Sequence, residues 1–301
     1  MRALVADPSA PANVSFGELP EPVPAPHQAL VKIASSSLNY GDIKGAAQRK
    51  RGTPLGWDAA GIIVTAAADG SGPAEGSRVV TFGGSGAWAE RQAVDTAEIA
   101  VVPDVVDLGA ASALPVAGVT ALRALRRFGF IAGERILVTG ASGGVGRFAV
   151  QLAAIAGAHV IASVGRPERG AGLPELGAAE VVVGLNGVDV PLRGVIDNVG
   201  GPQLAAAFEL LGEGGSIQSI GGTSGEPTVF PPYGTVGMRR SIEAFTMGGH
   251  LAADLGYLAA LLAQGKLDPQ IGWRGNWERV DEAAQALLGR QVAGKAVLDI
   301  T

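Results

Sequence analysis

The run Thr139-Gly140-Ala141-Ser142-Gly143-Gly144-Val145-Gly146 decides how this chain is read. It follows the apolar stretch Arg135-Ile136-Leu137-Val138 and opens a segment of helical spacing over residues 144–156. A strand, a glycine-rich turn and a helix in that order bring backbone N–H groups against a diphosphate, and the helix dipole favours the negative charge. A glycine pattern alone is weak. In this strand–turn–helix context it becomes specific.

Strands and helices alternate downstream of the turn. Residues 158–163, 180–183, 194–197 and 215–220 read as strands, 201–211 as a helix, and 242–246 as a sixth strand. Such alternation predicts an α/β fold with a doubly wound parallel sheet. Only residues 184–193 join two of these strands, which is short for a crossover. Either a helix has been trimmed there or the strands pair differently.

Upstream the texture differs. Residues 29–34, 60–65 and 78–82 are strand-like and separated by Gly and Pro at short intervals, as in a compact β domain. The spacing of Leu114, Leu122, Leu125 and Phe128 predicts one helix over 110–127, with Arg123, Arg126 and Arg127 near its C-terminal end. In the tail, 253–264 and 280–288 read as helices, 271–277 as turn-rich, and 295–300 as a strand able to rejoin the first β region. The expected domains are therefore 1–110 with 265–301, and 111–264 as an inserted cofactor domain. The active site is expected in the cleft between them.

Composition narrows the function. The 301 residues are 47% hydrophobic and 17% charged, against roughly 25% charged in ordinary soluble chains. Extensive burial follows, and disorder is disfavoured. A net charge of −5 gives no reason to expect a nucleic-acid or anionic-membrane partner. The absence of cysteine removes disulfides, thiolate nucleophiles and cysteine-ligated metal sites. His27, His159 and His250 are too scattered to suggest a metal cluster, so none is expected. No apolar run of about 18 residues suggests a membrane span. Met1-Arg2 leads straight into a strand-like stretch with no signal peptide, and the expected location is the cytoplasm.

Two other patterns overlap these residues. Gly140-Ala141-Ser142-Gly143-Gly144 matches the G-x-S-x-G elbow of serine hydrolases, with Asp197 and His250 in the required order downstream. Against it, Gly146 would be superfluous and more than 100 residues of β domain would precede the elbow. Tyr40-Gly-Asp-Ile-Lys44 matches the Tyr-x-x-x-Lys of short-chain dehydrogenases, but it lies upstream of the loop instead of downstream, so the match is read as chance.

About twenty residues past the loop, a carboxylate would accept hydrogen bonds from the ribose of NAD. This chain has Ser163 there, followed by Arg166 and Arg169. A carboxylate would repel a 2′-phosphate, whereas serine and arginine would bind one, so NADP(H) is expected over NAD(H).

The ordered segments Leu114-Pro-Val-Ala-Gly-Val-Thr-Ala-Leu122, the glycine loop, Asp197-Asn-Val-Gly-Gly201 and Gly294-Lys-Ala-Val-Leu298 line up with one family. The chain resembles the medium-chain dehydrogenase/reductase superfamily, in its zinc-free quinone oxidoreductase and enoyl reductase branch. The resemblance implies a GroES-like catalytic domain, a Rossmann cofactor domain and a homodimer. Zinc-dependent relatives carry a Cys where this chain has Asn39 and a His where it has Trp57, and the structural-zinc lobe is missing. An amide and an indole cannot replace a thiolate and an imidazole on zinc.

The resemblance also implies roles. Asn39 and Tyr40 would donate hydrogen bonds to the oxygen of a quinone or enone acceptor. Thr120 would touch the nicotinamide, and Gly143, Gly144 and Val145 would hold the diphosphate. Gly140 and Ser142 share that loop and are assigned to the cofactor with them. Asn198, Val199, Gly221 and Gly222, at later strand ends, would flank ribose and nicotinamide. Asp42 and Asp58 are read as structural. The expected function is hydride transfer from NADPH to a quinone or α,β-unsaturated carbonyl. The alternatives are a serine hydrolase using Ser142 and a non-catalytic NADPH-binding regulator.

Overall fold

The computed structural model describes residues 1–300. The chain divides into two compact units, one of residues 1–119 together with 248 to the C-terminus, the other of residues 120–247.

In the first unit the strands are β1 (Arg2–Ala6), β2 (Val14–Glu18), β3 (Gln28–Leu38), β4 (Asp58–Thr65), β5 (Arg78–Phe82), β6 (Arg91–Asp95) and β7 (Ile99–Val101), with helices α1 (Tyr40–Ala46) and α2 (Leu108–Ser112). β1 and β2 form an antiparallel ribbon. β3 is the organising strand, because it pairs antiparallel with β4 and with β6. Its first half alternates buried and half-exposed residues. Its last four, Ser35-Ser36-Ser37-Leu38, are all buried. Each of those hydroxyls has an acceptor: Asp299 Oδ1 for Ser35, Ala87 O for Ser36 and Asp58 Oδ2 for Ser37. Buried hydroxyls are tolerated when bonded in this way.

Helix α3 (Val119–Arg126) leads into the second unit, which contains β8 (Arg135–Val138), α4 (Gly144–Ile155), β9 (His159–Val164), β10 (Glu180–Val183), β11 (Leu192–Asp197), α5 (Gly201–Glu209), β12 (Leu211–Ser219) and β13 (Ser241–Ala244). These six strands form one sheet in the order β10-β9-β8-β11-β12-β13, and every pairing is parallel. Numbered within the sheet this is 3-2-1-4-5-6, the doubly wound Rossmann order. β8 sits at the reversal point, and its Ile136, Leu137 and Val138 are fully buried, as a strand covered on both faces requires.

The short link is thereby explained. β10 is an edge strand and β11 lies three places away, beyond β8. Three strand spacings are about 14 Å. Residues 184–191 fully extended reach about 26 Å, so the crossing needs no helix.

The chain then returns to the first unit with α6 (Ala252–Ala263), β14 (Ile271–Asn276), α7 (Val280–Leu288) and β15 (Lys295–Asp299). β15 pairs antiparallel with β3, Ala296 opposite Leu38, so the closing strand does rejoin the first β region. Beneath this sheet Leu4, Leu38, Ile43, Trp88, Trp277 and Leu298 form a continuous apolar core.

Three expectations are corrected. The helix over 110–127 is broken, because Leu114–Gly118 forms a wide π-type turn around Pro115, which has no N–H to donate. Residues 271–276 are a strand paired parallel with β15 instead of a turn. Helix α6 belongs to the first unit instead of the inserted domain, and Glu98 Oε2 accepts from the Leu251 N–H at its start. No helix among the described residues is long and apolar enough to cross a membrane.

Candidate functional site

The glycine loop joins β8 to α4 at the carboxyl edge of the parallel sheet. Gly140 has φ of 60°, a left-handed conformation that a β-carbon disfavours. Gly146 is required for a different reason. A β-carbon there would lie 2.4 Å from the Gly140 carbonyl oxygen and 2.6 Å from Ala141 Cα, so helix and turn are packed backbone to backbone. Gly143 occupies the helix N-cap and supplies no capping side chain. The first-turn N–H groups of Gly144 and Val145 have no acceptor among the described residues.

Two further strand ends adjoin this loop. A β-carbon on Gly140 would come within 3.3 Å of Asn198 Cβ and 3.4 Å of Val199 Cγ2, and one on Gly200 within 3.2 Å of Gly222 Cα. The Asn198 amide donates to Thr139 O at 2.8 Å, and the Thr223 hydroxyl donates to Asn198 O at 3.0 Å. The structure thus brings together Gly140, Ser142, Gly143, Gly144, Val145, Asn198, Val199, Gly221 and Gly222 along the ends of β8, β11 and β12. Open parallel sheets bind ligands in this place. Uncapped N–H groups and close glycine packing fit a dinucleotide's diphosphate.

Ser163 does not face a ligand as expected. It is fully buried, its hydroxyl donating to Gly184 O at 2.6 Å and accepting from Gln203 Nε2 at 2.8 Å. β9 runs one residue further than the sequence suggested, so Gly165 and Arg166 are the exposed residues at its end. Arg169 Nε donates to Ser142 Oγ at 2.8 Å. That contact also removes the nucleophile reading, because a guanidinium cannot take up a serine proton. Asp197, the acid of that reading, instead accepts from Thr139 Oγ1 at 2.6 Å and Gly200 N at 2.9 Å. Thr120 is buried in the first turn of α3.

The other candidate residues lie in the first unit, where β3 turns into α1. Asn39 is the N-cap of α1 and Tyr40 its first residue. Asp42 Oδ2 accepts from the Asn39 N–H at 3.1 Å, the reciprocal half of a capping box. Asn39 Nδ2 donates both to Asp42 Oδ2 at 3.1 Å and to Asp58 Oδ2 at 2.9 Å. Both amide hydrogens are therefore engaged with carboxylates, and Asn39 has none to offer an acceptor's oxygen in this arrangement. Tyr40 is half-buried and its hydroxyl has no hydrogen-bond partner among the described residues. Lys44 lies one helical turn on, its ammonium 5.7 Å from the Tyr40 ring centre. This places the Tyr-x-x-x-Lys match on α1, outside the Rossmann unit.

Beneath the turn is an ionic cluster that sequence reasoning did not assemble. Lys295 Nζ donates to Asn39 Oδ1 at 2.6 Å and to Leu38 O at 3.1 Å, and lies 3.5 Å from Asp58 Oδ2. Lys295 is 2% exposed, Asp58 0% and Asp42 5%. Asp58 Oδ1 also accepts from Val116 N at 3.1 Å, an N–H freed by the break at Pro115. Two buried carboxyl groups and one buried ammonium thus lie around a single amide. Burial, then the charge of Asp58, pushes Asp42 up to about 7. Burial raises Asp58 as well, opposed by Lys295. The only sequence signal was a lysine in the closing Gly294-Lys295 pair, with no hint of its partner.

The comparisons with known proteins agree with this architecture. Residues 25–104 match the alcohol dehydrogenase GroES-like domain, and residues 144–264 match the zinc-binding dehydrogenase family. A quinone oxidoreductase of Pongo abelii is 30% identical, over 92% of this chain and 90% of its own length. A 2-methylene-furan-3-one reductase of Solanum lycopersicum is 31% identical, over 95% of this chain and 74% of its own. The solved quinone oxidoreductase of Coxiella burnetii is 25% identical and superposes with a TM-score of 0.87, covering 100% of this chain and 99% of that one. The chain belongs to the medium-chain dehydrogenase/reductase superfamily, in its quinone oxidoreductase branch.

As a medium-chain dehydrogenase/reductase the chain is an oxidoreductase with a GroES-like and a Rossmann-like part. One of the matching families is named for zinc, but the residues at the turn are not zinc donors. The Asn39 amide nitrogen is turned onto carboxylates, and the ammonium of Lys295 already lies among Asn39 and Asp58. The Trp57 indole packs on Gly41, 3.5 Å from where a β-carbon would stand. A positive charge, an indole and an amide do not make a zinc site, and these residues do not fit that metal.

Proposed function

We propose that this chain is a zinc-independent reductase that uses NADPH to reduce a quinone or an α,β-unsaturated carbonyl. The observation that carries the reading is the Lys295–Asn39–Asp58 cluster at the turn where zinc-dependent relatives hold their metal. Oxidising a plain alcohol requires stabilising an alkoxide, usually with a metal or strong base. Reducing a quinone or a conjugated C=C is less demanding, because negative charge accumulates on an oxygen that one or two hydrogen-bond donors can stabilise.

The nicotinamide dinucleotide, when bound, supplies the hydride. This chain's residues do the rest. The N–H groups of Gly144 and Val145 hold the diphosphate, with Gly140, Ser142 and Gly143 shaping the cradle. Asn198, Val199, Gly221 and Gly222 flank the ribose and nicotinamide, with Thr120 against the ring. Arg166, exposed at the end of β9, binds the 2′-phosphate, and Arg169 braces Ser142. Tyr40 donates from its hydroxyl to the acceptor's oxygen, while Asn39 holds the turn. We read the working unit as a homodimer in the cytoplasm.

The test is to titrate the purified protein with NADPH and NADH, then follow NADPH oxidation with quinones, enals and enoyl thioesters, with and without a chelator. Binding of NADPH, turnover of one acceptor class and indifference to chelation are expected. Failure to bind either coenzyme, or activity that depends on added zinc, overturns the proposal.

A further inference from the structure

We propose that Lys295 is a positioning residue for the reaction: its ammonium locks Asn39, and through Asn39 the first turn of α1, so that the Tyr40 hydroxyl is held in one place. The inference rests on the reading of Tyr40 as the donor. It assigns work to a residue 256 positions away in sequence from Asn39.

A buried ammonium needs a reason. Desolvating a lysine and a carboxylate is costly, and well-packed apolar residues are often as stabilising in their place. Stability alone therefore does not account for an ion pair at 2% and 0% exposure. An ammonium has three protons. Here its three acceptors are Leu38 O, Asn39 Oδ1 and Asp58 Oδ2, all at the end of β3 or on a residue bonded to it. Leu38 and Asn39 immediately precede Tyr40. With Nδ2 on Asp42 and Asp58 and Oδ1 on Lys295, every polar atom of the Asn39 side chain is fixed.

The base is rigid. Lys295 opens β15, which lies between β14 and β3 in the sheet. Asp58 opens β4, opposite Ser37. The cluster therefore joins three sheet strands to the N-cap of α1. Asp58 Oδ1, reaching Val116 N, extends the same bracing to the turn that precedes α3. By contrast, no residue among those described holds the Tyr40 hydroxyl directly, so its position depends on this backbone.

The experiment compares wild type, Lys295→Met and Lys295→Met/Asp58→Asn. The double variant removes the charge that Lys295→Met would strand in the interior, so it separates folding from positioning. The expected result is a double variant with a melting temperature near wild type, a KM for NADPH within about twofold, and kcat lowered about 100-fold, the size of effect a 1 Å misplacement causes. Recovery of kcat together with the melting temperature would mean that the pair is only structural and overturns the proposal.

A second readout does not depend on turnover. The chain has three tyrosines, Tyr40, Tyr233 and Tyr257, so carbon-13 labelling at tyrosine gives a spectrum assignable with Tyr40→Phe. In the double variant the Tyr40 resonance should shift or broaden while Tyr257, in the same unit, stays in place. An unmoved Tyr40 signal overturns the proposal even if kcat falls. If wild type reduces no acceptor, the proposed function fails, and the tyrosine spectrum still decides whether Lys295 positions Tyr40.

Discussion

Lys295 Nζ and Asn39 Oδ1 lie 2.6 Å apart, a bond between the last strand of the chain and the cap of its first helix. It ties the two chain segments of the first unit together, and it changes what Asn39 can do. An amide whose oxygen is held by an ammonium and whose hydrogens are held by two carboxylates is part of the scaffold. In the proposed mechanism the donor is its neighbour Tyr40, whose hydroxyl has no hydrogen-bond partner among the described residues.

Tyr40→Phe tests that division. The ring stays and packs as before, so the melting temperature and the KM for NADPH should change little. A positioned proton or hydrogen-bond donor contributes on the order of 10²-fold or more. Steady-state kinetics should show kcat lowered by about that factor. A kcat within twofold of wild type would remove Tyr40 from the mechanism.

Arg166→Ala tests the coenzyme assignment. Arg166 is exposed at the end of β9 and carries no ion pair among the described residues, so its loss should not disturb the fold. A charge-assisted hydrogen bond is worth about 1.5–3 kcal/mol, so preference for NADPH over NADH, measured as the ratio of kcat/KM values, should fall about tenfold or more. An unchanged ratio would mean that the arginine only solvates a surface turn.

What was readable in the sequence, and what was not, divides by range. The glycine loop, β8, α4 and β10 were legible because strand, turn and helix signals lie within a few residues of one another. The break at Pro115 was legible in principle, since a proline in a helical pattern removes a donor, but the leucine spacing across it suggested continuity. β14 was hidden by Gly272 and Gly275, which read as turn residues although the segment alternates half-buried and exposed positions along an edge. Ser163 lies one residue before the end of β9, and that one residue of strand length is enough to turn a ligand-facing position into a buried one. The Lys295 cluster was not legible at all. Its members come from β3, α1, β4 and β15, and only the folded sheet brings them together.

Asp42→Asn tests the electrostatics of that cluster. Burial and the neighbouring Asp58 push the Asp42 carboxyl up to about 7, against an ordinary value of 3.8. Between those values the folded protein retains a proton that the unfolded chain has lost. Stability must therefore fall as pH rises through that window, with a ceiling of about 4 kcal/mol for the whole shift. Asparagine keeps an oxygen for the Asn39 N–H and does not titrate. Melting temperatures from pH 4.5 to 8 should show the variant gaining on wild type as pH rises, and parallel curves would contradict the assignment.

Gly146→Ala tests the cradle through packing alone. A methyl group there would stand 2.4 Å from one backbone oxygen and 2.6 Å from a backbone carbon, and neither belongs to a side chain that can swing away. The start of α4 must move off the turn, at a cost of about 1–3 kcal/mol for overpacking. The same movement displaces the Gly144 and Val145 N–H groups that are proposed to hold the diphosphate. The melting temperature should drop by several degrees, and NADPH affinity, measured by calorimetry well below that temperature, should weaken by about tenfold or more. Gly165→Ala is the control, because a β-carbon there meets nothing within 4 Å and should leave the melting temperature unchanged. A Gly146→Ala protein that binds NADPH as wild type does would mean that the loop does not form the diphosphate site.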